Sequence, residues 1–364
     1  MKKVFYLFTL VVILISCKEE KVAPTAFIEY SKPYAENMDE SLLIQLDQTI
    51  KQGVYGNIYS LIILKSGKIV FENYYSNTSR DDLHPLGGAT QSIVSAVVGT
   101  QELNDEEFSL SSKIIDYYPE YAQYFDNIPQ KDQIEIRHLL SHTSGFWWDE
   151  LGYPFGTEEN DAYNMSLSDD WVAHVLATPM IKEPGYGFNF NSGNAILMAP
   201  IMEKETGEAF EELTKKRLFD PLAITNWEWD RTSKGRVNTA WGLHLKAIDM
   251  AKIGYLYLNN GTWQDQLLFD DIWRTRSTRG RNAVSNYFNY GYYWWSFNNR
   301  ADAVIFLSRN DVFFAWGEGG QFIFVVPHLD LVVVTTGGNF NANDTKSIEI
   351  LRDYIFPAVM DRYP

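Results

Sequence analysis

Leu42, Leu43, Leu46 and Ile50 recur at helical spacing, which predicts a helix over residues 37–52. The period then changes. Ile58–Lys65 and Lys68–Tyr75 are β-type runs, and Ser66-Gly67 between them has the composition of a two-residue hairpin turn. From about residue 88 to 275 the spacing is mostly helical, with Ser168 before Asp169-Asp170-Trp171 read as a helix start. Strand-like runs return at Tyr290–Phe297, Val304–Ser308, Phe313–Trp316, Gln321–Val326 and Leu331–Thr336. A final amphipathic stretch, Thr345 to Phe356, predicts a helix ended by Pro357. Strands therefore gather at both ends of the chain, with helices between.

The N-terminus follows a different logic. Lys2-Lys3 precede an apolar run from Val4 to Ile15, too short to span a bilayer comfortably and read as an export signal. Leu14-Ile15-Ser16-Cys17 resembles a bacterial lipobox, in which the cysteine becomes the lipidated first residue; the alternative is an ordinary secretory signal. Lys18-Glu19-Glu20 is similar to the signal some Bacteroidetes-type lipoproteins use to reach the outer face of the outer membrane. Residues 18–34, with Pro24 and Pro33, read as a polar tether. The expected organisation is thus signal and lipid site over 1–17, tether over 18–34 and one domain over 35–361. Cys17 is the only cysteine, so no internal disulfide forms.

Composition narrows the function classes. The 364 residues, 45% hydrophobic, are ample for a large core. A net charge of −16 without a basic stripe excludes a nucleic-acid binder. It also disfavours electrostatic attraction to anionic lipid, leaving the Cys17 anchor as the expected link to the membrane. Oligomeric state is not readable.

A series of segments in fixed order points to a family. Ser60 to Glu72 is similar to an opening hairpin, and Arg137-His138-Leu139-Leu140-Ser141-His142-Thr143-Ser144-Gly145 to a marker segment. Pro184-Gly185 through Gly193-Asn194, Asp220-Pro221-Leu222, Trp241-Gly242-Leu243 and Met250-Ala251-Lys252 follow. Gly317-Glu318-Gly319-Gly320-Gln321 and Val325 to Val334 close the series. On these residues the chain resembles the serine β-lactamase and penicillin-binding-protein family. The resemblance implies an α+β fold, an α/β/α sandwich. Its antiparallel sheet (about 57–76 and 286–337) is flanked by helices and joined to a mainly helical region (about 88–275), and the active site lies between the two. It implies no cofactor, and a small-molecule, peptide or peptidoglycan-like ligand.

The family's chemistry is missing. Where relatives carry Ser-x-x-Lys at a helix start, this chain has Gly88 and Gln91. That spacing puts nucleophile and base one turn apart on one face. Gly88 offers no nucleophile, and Gln91 accepts no proton at neutral pH. None of the 18 lysines has a serine three residues before it. The Tyr-x-Asn/Ser motif reads Phe190-Asn191-Ser192, so the phenol is lost as well. On the facing strand Glu318-Gly319-Gly320 stands where relatives place Lys-Thr/Ser-Gly, His-x-Gly or an aromatic-Gly-Gly, and an anion there would repel a substrate carboxylate. The resemblance maps the backbone oxyanion donors to Gly88 and Gln321, which need no particular side chain.

The candidate pocket is accordingly Gly88, Gln91, Phe190, Ser192, Glu318, Gly319 and Gln321, with Trp147 and Tyr186 on flanking loops that stack on a ligand or simply pack. His138 and His142 belong to a structural marker, and no metal-binding spacing occurs. Three readings stay open: an inactive envelope lipoprotein kept for binding or scaffolding; a hydrolase using Ser92, Thr90 or Glu318; and a structural module with a collapsed site.

Overall fold

The computed structural model describes residues 28–298, 311–340 and 345–360. Helix α1 (Glu40–Lys51) begins where the Asp39 carboxylate accepts from the N–H groups of Ser41 and Leu42, a cap worth about 1 kcal/mol. It buries Leu43, Leu46 and Ile50. The hairpin follows as β1 (Ile58–Lys65) and β2 (Lys68–Tyr74). Ser66 and Gly67 both take positive φ, as a two-residue primed turn requires.

Six more strands complete the sheet: β3 (Asn282–Ala283), β4 (Phe288–Tyr290), β5 (Trp295–Phe297), β6 (Phe313–Gly317), β7 (Gln321–Val326) and β8 (Leu331–Gly337). Their order is β2-β1-β8-β7-β6-β5-β4-β3, antiparallel throughout. The N-terminal hairpin joins the C-terminal meander at β1–β8, where Ile62 pairs with Val334 and Leu64 with Val332.

Each face of this sheet carries its own core. Ile62, Leu64, Ile323, Val325, Val332 and Val334 pack against the large helical region. Leu61, Ile63, Phe322, Phe324 and Val333 pack against α1 and the C-terminal helical segment. Burial on both sides explains why the strands read as continuous apolar runs rather than alternating ones. The helices that matter for the site are α2 (Thr90–Asn104), α3 (Asp161–Leu167), α4 (Trp171–Ala177), α5 (Ser192–Ile196) and α6 (Ala247–Leu258). Helix α2 is buried on every side from Thr90 to Gln101, so it lies inside the molecule rather than on its surface.

Several expectations need correction. The helix expected to start at Ser168 starts at Asp170, whose carboxylate accepts from Ala173 N–H at 3.1 Å. Tyr290–Phe297 is two strands, β4 and β5, because the chain turns between them and Gly291 N–H donates to Trp294 O at 2.8 Å. Pro357 does not end the last helix but lies within its final turn, Phe356–Ala358, after a π-turn over Leu351–Ile355. The folded body starts before residue 35. Ile28 is buried, and the backbone of 29–31 hydrogen-bonds to Ile69 at the β2 edge. The expected strand Val304–Ser308, the export signal and Cys17 lie outside the described residues. Among the described residues no helix is long and apolar enough to cross a membrane.

Candidate functional site

The start of α2 is positioned by backbone. His84–Pro85 pairs with His244–Leu245, and Leu86 N–H donates to Leu243 O at 2.8 Å. Gly87, with φ +54°, then turns the chain into the helix. This turn is pressed against the end of β6. A carbon added at Gly317 would stand 1.8 Å from the Leu86 carbonyl oxygen, and one at Gly88 would stand 3.0 Å from the Trp316 carbonyl oxygen. Glycine at 317 is what permits this approach. The backbone nearest to where side chains at Gly87 and Gly88 would stand is therefore residues 316–318. Gln321 lies in β7, and its side chain donates to Gly337 O at 2.6 Å, locking it into the sheet.

Gln91 is 1% exposed. Its Oε1 accepts from His142 Nε2–H at 2.9 Å and from the Tyr290 hydroxyl at 3.3 Å. On the other side of the ring, His142 Nδ1 faces the Asn191 N–H and the Asn194 carboxamide, each at 3.3 Å. Two donors at Nδ1 require a lone pair there, which places the proton on Nε2. Complete burial drives the His142 pKa down to about 3, because an imidazolium would lose its hydration without gaining an anion. The Tyr290 hydroxyl is pushed far upward for the same reason. Phe190 closes the assembly: its ring lies 4.7 Å from that of His142 and 6.0 Å from that of Trp295, stacked on the latter. The result is a neutral, aromatic-walled network at the position where the family resemblance implies a lysine.

The substitute hydroxyls are already engaged. Ser92 Oγ donates to Tyr293 O at 2.5 Å, and Thr90 Oγ1 accepts from Leu243 N–H at 3.2 Å. Both residues are buried. Ser95 is likewise buried along α2. Glu318 is exposed, and Gly319 and Gly320 form the turn from β6 to β7 with φ of +90° and +104°. Trp147 and Tyr186 are 53% and 73% exposed and stand on the surface rather than in the buried network.

Ser192 opens α5 and meets a partner that the sequence did not single out. Glu150 accepts from Ser192 N–H at 2.9 Å, from Ser192 Oγ at 2.7 Å and from the Trp148 indole N–H. Burial raises its pKa to about 7 despite these three donors. Glu150, Tyr290 and the central place of His142 were not foreseeable from spacing. Only the marker segment containing His142 hinted at them. Among the described residues no cluster of His, Cys, Asp and Glu could hold a metal ion.

Comparison with known proteins identifies the family. The model of the β-lactamase family matches residues 46–351. The N-acetylmuramyl-L-alanine amidase of Bacillus subtilis is 22% identical over 233 residues, 60% of this chain and 51% of that protein. The chain spans about half the length of the first curated relatives it matches, 51% in each of three. A penicillin-binding-protein homologue from Caulobacter crescentus superposes with a TM-score of 0.67 at 13% identity, covering 91% of this chain and 98% of the other. An octameric penicillin-binding-protein homologue from Pyrococcus abyssi gives 0.67 at 15% identity, covering 88% and 79%. These structures share the fold, and the family match extends over most of the chain. The chain belongs to the β-lactamase family.

Proposed function

We propose that this member of the β-lactamase family is a catalytically inactive envelope lipoprotein, anchored through Cys17 and kept for binding or scaffolding. One observation carries the reading. The positions of nucleophile and base hold Gly88 and Gln91, and the Gln91 carboxamide is bound to His142 and Tyr290 in a buried network. No proton acceptor stands beside a free hydroxyl there, and nucleophile and base act as a unit. The alternative nucleophiles lose ground because Ser92 and Thr90 use their hydroxyls to hold Tyr293 and Leu243. A peptide or peptidoglycan-like ligand is the class that the family resemblance suggests.

The test is covalent labelling and turnover. The protein should take no label from fluorescent penicillin or a fluorophosphonate at residues 88–95, and should hydrolyse p-nitrophenyl esters no faster than a denatured control. Clear turnover that Ser92→Ala or Glu318→Gln abolishes would replace this reading with an active hydrolase.

A further inference from the structure

Residues 149–161 form a closed surface loop whose polar groups are satisfied inside it. Asp161 N–H donates to Asp149 O at 3.0 Å, and Asp149 N–H donates to the Asp161 carboxylate at 2.7 Å, closing the stem. Asn160, 2% exposed, fills the interior and donates to the carbonyls of Glu150 and Tyr153 at 3.0 and 2.8 Å. Glu150 then pins the loop to Ser192. A compact, internally bonded loop of this kind is a built feature.

Its apolar side chains, however, face water. Leu151, Tyr153 and Phe155 are 69%, 45% and 58% exposed. Phe155 reaches back only to the edges of Tyr163 and Trp241, with ring centres 5.4 and 6.1 Å away. Apolar side chains held outward by a rigid stem contribute little to folding and mark a contact surface. The stretch of chain that carries them is acidic, and one of its acids, Asp170, meets Lys234 at 2.9 Å. Between Arg137 and Lys182 there is no lysine or arginine, while Asp149, Glu150, Glu158, Glu159, Asp161, Asp169 and Asp170 fall in this stretch. Glu158 and Glu159 are exposed on the loop itself.

We propose that this loop is a docking surface for a cationic, apolar peptide segment of a partner protein. Lysine or arginine would pair with Glu158 and Glu159 and stack on Tyr153 and Phe155, while aliphatic side chains cover Leu151. The proposal goes beyond the reading above and holds whether or not the cleft turns over a substrate.

Fluorescence anisotropy with the full-length chain and three labelled twelve-residue peptides tests it: alternating Lys/Leu, Lys/Ser and Glu/Leu. The Lys/Leu peptide should bind saturably, at least about tenfold tighter than Lys/Ser, with no binding of Glu/Leu. Leu151→Ser/Tyr153→Ser/Phe155→Ser should weaken it about tenfold. Glu158→Gln/Glu159→Gln should weaken it severalfold and flatten its salt dependence. Glu106→Gln/Glu107→Gln, exposed acidic residues elsewhere, should change nothing. Equal binding of Lys/Ser, or equal loss from the 106/107 pair, would reduce the effect to net charge and overturn the proposal. So would sedimentation showing a dimer that the triple loop variant disperses, which would make a second copy the occupant. Flotation of the wild type, but not the triple variant, on phosphatidylcholine vesicles would make it a lipid surface.

Discussion

The imidazole of His142 and the carboxamide of Gln91, 51 residues apart in the chain, meet at 2.9 Å with no charge on either group. His142 adopts φ +52°, a backbone conformation that non-glycine residues rarely take, so the surrounding structure holds it there. Gln91→Leu removes the acceptor shared by His142 Nε2–H and the Tyr290 hydroxyl; Nε2–H can still donate to the Tyr290 oxygen at 3.1 Å, so the tyrosine O–H is left as a buried unpaired donor. A loss of about 1–3 kcal/mol in urea unfolding is expected, larger than for an exposed glutamine such as Gln52.

The same histidine sets a pH dependence. Its folded pKa, about 3, lies below its ordinary value of 6.5, so below that value the unfolded chain binds the extra proton and the folded one does not. Stability from this group is complete above about pH 6.5 and falls as the pH drops toward 3. Gln91→Glu places an anion beside Nε2 and should move the His142 titration upward, read from its ring proton shifts by NMR.

Glu150 acts with the opposite sign. Its folded pKa of about 7 lies above the ordinary 4.5, so the folded state holds the proton longer and stability falls as pH rises between those values. Glu150→Gln removes the titration while keeping the shape. Its unfolding free energy, compared with wild type at pH 4.5 and 7.5, should lack this decline.

Supplying the family's nucleophile, base and phenol takes three changes and some room. Gly88→Ser puts a side-chain carbon 3.0 Å from the Trp316 carbonyl oxygen, so alone it should lower the melting temperature and yield no activity. Gly88→Ser/Gln91→Lys/Phe190→Tyr supplies nucleophile, base and phenol together. Weak hydrolysis of p-nitrophenyl esters is expected from it, at a further cost in stability because the introduced amine would meet the His142 Nε2–H, donor against donor. Activity of the single variant equal to the triple would contradict the coupling of these groups.

Gly254 in α6 sets two effects against each other. Alanine would gain about 1 kcal/mol of helix propensity. Its methyl would lie 2.5 Å from Val332 Cγ1 and 2.8 Å from Ile323 Cγ2, and overpacking of this kind costs about 1–3 kcal/mol. Both neighbours are β-branched and stiff, so the clash should win. Gly254→Ala is expected to lower the unfolding midpoint.

For the membrane link, Cys17→Ser should move the protein from the membrane to the soluble fraction. Retention in the pellet would count against lipidation at Cys17.

Local pattern alone made the hairpin legible, because Ser66-Gly67 dictates its own turn and Ile58–Lys65 its own strand. It also made legible the replacement of the Ser-x-x-Lys pair, since Gly88 and Gln91 are read directly from the chain. Pattern failed where neighbours in space decide. Ser168 and Asp170 are both good caps, but Ser168 closes α3, its Oγ donating to Met165 O at 2.7 Å, and Asp170 is left to start α4. Residues 28–31 look like tether until the β2 edge pairs with Glu29 and Ser31 and Ile28 is buried beside them. The close approach of Leu86 to Gly317, which brings residues 316–318 against Gly87 and Gly88, has no mark in the local pattern. Glu150 with Ser192, and Gln91 with His142 and Tyr290, are pairings between distant segments. Their protonation is set by burial, which belongs to the packed molecule and not to any stretch of its sequence.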